Sequence, residues 1–266
     1  VAPSLGALEG THQEAWGTKE YENTTDPTVF FGVYGFPDFY SLWRHGGRKA
    51  ILWAGSDITH FLNGYWLDDA GDNRIECKSL ARWINDNCES FVENEVEYEA
   101  LKSVGIESEI IPSFMGNVND YDVSFEPSIR PKVYTSVSGN DFELYGWDKI
   151  PGLALKNKDI DFHLYGNTIP FLSTPINNIH EHRRVPKEQM NREIKEMQGA
   201  LRLTEFDGFS EIIAKSLLWG QYPVSTIPYP YTINPDDINY LLDVEAPNTT
   251  GRDYYKTIIN DYPWAK

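Results

Sequence analysis

Short apolar runs alternate along this chain with stretches of helical period. Val29–Phe36 (VFFGVYGF) and Lys49–Trp53 (KAILW) are largely apolar runs of strand length, each leading into a glycine-bearing loop. Between them, Pro37 to His45 reads as a short helix. Lys78–Asn87 carries Leu80, Trp83 and Ile84 on one face, and Glu95–Val104 is a second helical stretch closed by Gly105. Glu89–Glu93 and Ser108–Ile111 read as short strands, the latter stopped by Pro112. A loop rich in Pro, Asn and Asp, 112–131, has the composition of a linker.

The alternation then restarts. Lys132–Val137 reads as a strand, Tyr145–Lys156 as a helix, Asp161–Tyr165 as a strand and Lys187–Met197 as a helix. A strand near Leu201, a helix over Ser210–Trp219 and helices at Asp236–Asp243 and Asp253–Asp261 complete the pattern. Strand and helix in alternation predict α/β units with parallel sheets. The expected division is two Rossmann-like domains, 1–127 and 128–266, with residues 1–27 as an irregular polar arm. In such sheets ligands sit outside the carboxyl ends of the strands. The loops there are Gly32–Gly35, Ala54–Asp57, Ser136–Gly139, Gly166–Asn167 and Asp207–Ser210.

Composition narrows the function classes. With 266 residues and 41% hydrophobic content, the chain can bury a sizeable core. Its 40 acidic against 23 basic side chains give a formal charge of −17, which disfavours nucleic acid and anionic lipid. Two cysteines, Cys77 and Cys88, make neither a disulfide framework nor a zinc site. No apolar run approaches the ~18 residues of a membrane span, and no signal peptide is visible, so a cytoplasmic location is expected. P-loop and G-x-S-x-G patterns are absent. His180-Glu181-His182 lacks a third ligand at a suggestive spacing, and the acidic run Glu89–Glu99 reads as a solvated face.

The stretch Leu201–Thr226 (LRLTEFDGFSEIIAKSLLWGQYPVST) is the most informative. It reads as a strand, a turn at Phe206–Ser210, an amphipathic helix stopped by Gly220, and a second strand. Such a turn directs backbone N–H groups outward at a helix N-terminus, which suits an anion or sugar hydroxyls. Asp207 adds a carboxylate able to accept hydroxyl hydrogen bonds.

These residues resemble the donor-site signature of the GT-B glycosyltransferases, especially the retaining family four. Its pattern is E-G-F-G, a second glutamate, then a glycine and P-V. Asp207, Gly208, Phe209 and Ser210 stand at the first part, and Gly220, Pro223 and Val224 at the last. Leu52–Ile58 (LWAGSDI) is similar to the family's H-G-S/T-D segment, with Ala54 at the histidine. The N-terminal half is short for the family by at least one strand-helix unit. The resemblance implies a GT-B fold, two Rossmann-like domains facing each other across a cleft, with a truncated N-terminal domain. It implies a nucleotide-sugar donor on the C-terminal domain and a hydroxyl acceptor (glycan, lipid-linked or other) against the N-terminal one. Retention at the anomeric carbon, no metal and no resident cofactor are implied as well.

On this resemblance Asp207 and Asp57 are the expected catalytic carboxylates. Gly208, Phe209, Ser210, Lys215, Ser138, Gly139, Asn140, Gly166 and Arg202 are the expected donor contacts, and Gly32, Gly35 and Gly55 line the acceptor side. Two departures stand out. The family's diphosphate-binding Arg and Lys are matched here by Asn140 and Tyr145, and its second glutamate by Lys215. Either Lys215, with Arg202 or Lys149, replaces the missing positive charge, or the donor site has become a binding module without catalysis. A DNA-modifying sugar transferase is a third reading, which the acidic charge disfavours.

Overall fold

The computed structural model describes residues 16–68, 70–137, 139–167, 175–259 and 262. The chain forms two compact units. One comprises 1–117 with 206–209 and 258–266, the other 118–205 with 210–257. The main division between these units falls at 117/118, and the turn 206–209 groups with the first unit.

The first unit is built on β1 (Thr28–Phe31), β2 (Lys49–Leu52), β5 (Glu89–Val92) and β6 (Glu109–Ile110), all parallel and adjacent in that order. Helices α1 (Phe36–Arg44), α2 (Ser56–Leu62), α3 (Cys77–Asn87) and α4 (Glu95–Lys102) connect them. Every residue of the inner strand β2 is buried, as a run without polar alternation requires. Ile51, Trp53, Ile58, Phe61, Ile84 and Leu101 form the fully buried centre of its core.

Three features depart from the sequence reading. Ser56–Leu62 is helix α2, hidden in the sequence because only Ile58 and Phe61 mark its apolar face, while Asp57 is buried beside them. An antiparallel pair, β3 (Tyr65–Trp66) and β4 (Arg74–Ile75), follows it. The described part of the N-terminal arm is tied down. Trp16 is buried, donates from Nε1 to the Phe114 carbonyl at 3.2 Å and packs edge-on against Phe31.

The second unit has a five-stranded parallel sheet made of β7 (Lys132–Ser136), β8 (Asp161–Tyr165), β9 (Ile179–Glu181), β10 (Gly199–Arg202) and β11 (Val224–Ser225). Their spatial order is β11-β10-β7-β8-β9. Helices α5 (Ile150–Lys156), α6 (Lys187–Ile194) and α7 (Glu211–Leu218) alternate with the strands, and α8 (Thr249–Ile259) is the last described helix. The helix expected from Tyr145 begins only at Ile150. Gly146 sits at φ +71° and a 3-10 turn, Trp147–Lys149, precedes the regular helix. Pro235–Leu242 is likewise 3-10 rather than α. Gly220 takes φ +76° directly after α7, the left-handed stop that the sequence predicts.

Candidate functional site

In the first unit the site is built from the carboxyl ends of β1, β2 and β5. Asp57 is fully buried at the start of α2. Its Oδ2 accepts the Val33 N–H and its Oδ1 accepts those of Ala54 and Ile58, all at 2.9 Å. Burial pushes its carboxyl up to about 7 against the pull of these three donors. Through these bonds Asp57, one of the two expected catalytic carboxylates, joins the loops after β1 and β2. Gly32 and Gly55 take φ +77° and +86°, a region that favours glycine. Gly35 is extended, at φ −163°, and precedes α1.

The turn 206–209 belongs to this unit and is held by side chains of the β5–α4 corner. The Phe209 N–H donates to Glu93 Oε2 at 2.7 Å. Asn94 Nδ2 donates to the Asp207 carbonyl at 2.8 Å, while Asn94 Oδ1 accepts the Glu97 N–H at 3.1 Å as the cap of α4. A Cβ at Gly208 would overlap the Glu93 carboxylate, and one at Gly55 would come within 3.0 Å of the Gly208 nitrogen. Phe206 packs on the core of the first unit, and Phe209 is buried. Asp207 itself is half-buried.

Glu93 and Glu97 were invisible as site residues because a run of acidic side chains ordinarily faces water. Here Glu97 is fully buried and Glu93 nearly so, which corrects the solvated-face reading at these two positions. Glu93 also accepts from the Ser113 backbone N–H at 3.1 Å and from its hydroxyl. Glu97 Oε2 accepts the Glu93 N–H at 2.7 Å, whereas Glu97 Oε1 is buried without a hydrogen-bond partner. Burial pushes Glu93 up to about 7 and raises Glu97 well above the usual carboxylate range, with repulsion from Glu93 adding to it. The available signal was an asparagine three places before a glutamate, directly after an apolar strand, which is the pattern of a helix cap.

In the second unit the loops after β7, β8 and β10 come together. Asn140 Oδ1 accepts from Asn167 Nδ2 at 2.5 Å, bridging the first two. Gly166 leaves no room for a side chain against Val137, and its N–H donates to the Arg183 carbonyl at 3.2 Å. Gly139 meets no close contact; Ser138 lies outside the described residues. Gly146 packs its α-carbon against the Leu203 backbone. The Arg202 guanidinium lies 4.1 Å from the centre of the Tyr145 ring, a cation–π contact. Lys149 Nζ donates to the Leu203 carbonyl at 3.3 Å and to Glu205 Oε1 at 2.9 Å, and its side chain is 40% exposed. Tyr145 therefore seats a cation from β10.

Ser210 precedes α7 without a side-chain cap bond. Lys215 is buried on that helix, with its Nζ 2.8 Å from Glu211 Oε1, and it also donates to Asn191 Oδ1 at 3.4 Å. Its charge is committed to an ion pair one helical turn away, a role the sequence reading did not foresee. His180 and His182 lie beside His163 of β8, with His163 Nδ1 and His182 Nε2 2.7 Å apart. Among the described residues, no group of three or more His, Cys, Asp or Glu is placed to hold a metal ion. No described helix is long and apolar enough to cross a membrane.

No protein-family model matches the sequence, and no curated protein is similar to it by sequence. Solved structures do match. The chain is similar over 98% of its length to TarM, at 13% identity and a TM-score of 0.54. Over 89% of its length it is similar to the pneumococcal O-GlcNAc transferase GtfA, at 11% identity and a TM-score of 0.52. Over 98% it is similar to the trehalose-6-phosphate synthase OtsA, at 10% identity and a TM-score of 0.56. The fold is that of the GT-B glycosyltransferases. The chain spans 55% of TarM, 55% of GtfA and 75% of OtsA.

Proposed function

We propose that this protein is a glycosyltransferase that takes a sugar from a nucleotide-sugar donor and transfers it to a hydroxyl acceptor. The observation that carries this reading is the Asp207-Gly208-Phe209-Ser210 turn, which opens α7 after β10 in a GT-B fold. Uridine diphosphate is the favoured nucleotide, because TarM of S. aureus and pneumococcal GtfA were both solved with UDP. The acceptor oxygen replaces the diphosphate oxygen at the anomeric carbon, and the acceptor proton leaves with the diphosphate. Asp207 binds donor-sugar hydroxyls. Lys149, in the 3-10 turn before α5, and Arg202, at the end of β10, supply the positive charge that Asn140 and Tyr145 lack. Retention of configuration and independence of metal belong to the same proposal.

A second reading is donor binding without turnover. Its support is that Glu93 already accepts the Phe209 N–H and that Lys215 is paired with Glu211. Titration calorimetry with UDP-, GDP-, ADP- and CMP-sugars in metal-free buffer, followed by an assay for nucleotide release with mixed hydroxyl acceptors, separates the two. Binding with acceptor-dependent release supports the transferase. Binding with no release for any acceptor supports the second reading, and no binding at millimolar sugar nucleotide overturns both.

A further inference from the structure

Three buried acids of the first unit meet beneath the turn 206–209: Asp57 from α2, Glu93 from the end of β5 and Glu97 from α4. Their hydrogen bonds divide them. Asp57 accepts three backbone N–H groups, and Glu93 accepts two, with the Ser113 hydroxyl as a third donor. Donors of this kind favour the ionised form. Glu97 accepts the Glu93 N–H on Oε2, and its Oε1 has no partner. A buried carboxylate oxygen without a donor is the costliest to leave charged, so the proton of the group belongs on Glu97. The unpartnered oxygen lies under the turn. A Cβ at Gly208 would stand 3.8 Å from Glu97 Oε1, and one at Gly55 would stand 3.7 Å away. Neither residue has a side chain, so backbone covers the oxygen. Asn94 ties the acid to its cover, since its Oδ1 accepts the Glu97 N–H while its Nδ2 holds the Asp207 carbonyl.

We propose that Glu97 is a proton-operated latch: the turn 206–209 closes over the protonated acid, and ionisation of Glu97 releases it. The titratable groups that face Glu97 are Glu93, Asp57 and Asp207, with Tyr34 from the loop after β1. All are acids, so each one that is ionised opposes a charge on Glu97. An ionised Glu97 needs water at Oε1. Lifting the turn admits it at the loss of a few contacts, the Phe209 N–H to Glu93 and the Asn94 bond to the Asp207 carbonyl among them. Moving α4 instead would break the core around Leu101. Opening the turn is therefore the smaller change. Glu97 binds its proton more tightly under the closed turn than under the open one. Closure is thus complete at low pH and is lost as pH rises through the closed-state value. On the donor reading proposed above, binding a nucleotide-sugar closes the latch, and above that pH it takes up a proton.

The test is hydrogen exchange of the full chain at the Gly208 and Phe209 amides from about pH 6 to 9, with rates divided by those of the unfolded peptide. Protection in the wild type should fall by up to about tenfold per pH unit, the slope of an opening that releases one proton. It should lie below that of β5 throughout, as a local opening requires. Glu97→Gln keeps the size and carries no charge, so the slope should vanish there. A slope retained in Glu97→Gln, or equal protection of the turn and β5 at every pH, would overturn the latch. Carboxyl-carbon NMR of the wild type decides the matter even where Glu97→Gln does not fold. Glu97 should ionise over the pH range in which the turn opens. A Glu97 that is ionised under a closed turn, or protonated under an open one, overturns the assignment. Calorimetry with UDP-glucose, above the pH of opening and in buffers of different ionisation enthalpy, reads the coupling. Proton uptake on binding is expected, and binding without uptake overturns the coupling. No binding at all counts against the donor reading, and the exchange result still decides the latch.

Discussion

Glu93 accepts the Phe209 N–H at 2.7 Å, and the same carboxylate fills the space that a side chain at Gly208 would need. One buried acid therefore both holds the turn and dictates its glycine. Gly208→Ala should destabilise the protein by about 1–3 kcal/mol, as overpacking does in a filled core. Glu93→Ala leaves the Phe209 and Ser113 N–H groups without their acceptor, at about 1–3 kcal/mol for each. Denaturant unfolding of both variants checks the pair. Wild-type stability in Gly208→Ala would show that the close approach is absent.

The buried acids of the first unit should make its stability fall as pH rises. Asp57 and Glu93 are pushed up to about 7, mainly by burial, and Glu97 is raised as well. Folded values above unfolded ones mean that the native unit holds protons that the unfolded chain releases. This contribution is complete below the unfolded values of about 4 and is lost as pH rises through about 7. In the second unit His163 is pushed down to about 4, mainly by burial, so its contribution has the opposite slope between about 4 and 6.5. Hydrogen exchange resolved by residue should show β2 and β5 losing protection from about pH 5 to 8 more than β7 and β10. Glu97→Gln should flatten that loss.

Asp207→Ala should abolish sugar transfer while leaving Tm within a few degrees of wild type, since the substitution keeps the Asp207 carbonyl that Asn94 holds. Nucleotide release at near-normal rate in this variant would remove Asp207 from the donor site.

Lys149 and Lys215 should behave differently. Lys149→Ala should weaken binding of a UDP-sugar about tenfold, the loss of a charge-assisted contact to phosphate. Lys215→Met should leave that affinity within about twofold, because its ammonium is paired with Glu211 and 3% exposed. Calorimetric titration of both variants decides. A larger loss in Lys215→Met than in Lys149→Ala would restore Lys215 as the phosphate contact.

Much of the fold was legible in the chain because its signals are local. Val29–Phe31 and Ala50–Trp53 are apolar without a break, and 78–87 and 210–219 repeat at helical period, so β1, β2, α3 and α7 announce themselves. The stop of α7 at Gly220 follows from backbone sterics alone. Helix α2 was not legible, since a short SDITHFL segment is set helical by burial of Asp57, Ile58 and Phe61 rather than by periodicity.

The site divides along the same line. Sequence order sufficed to place Asp207, Gly208, Phe209 and Ser210 on a turn before a helix, because that arrangement depends on neighbours in the chain. What the charged groups touch is decided by contacts between residues far apart. Glu93 reaches Phe209 across 116 positions and Arg202 seats on Tyr145. An acidic run carries no mark saying which of its members is buried, and a lysine carries none saying whether its charge faces solvent or a partner. Burial of Glu93, Glu97 and Lys215 is a property of the packed core, and only tertiary structure assigns it.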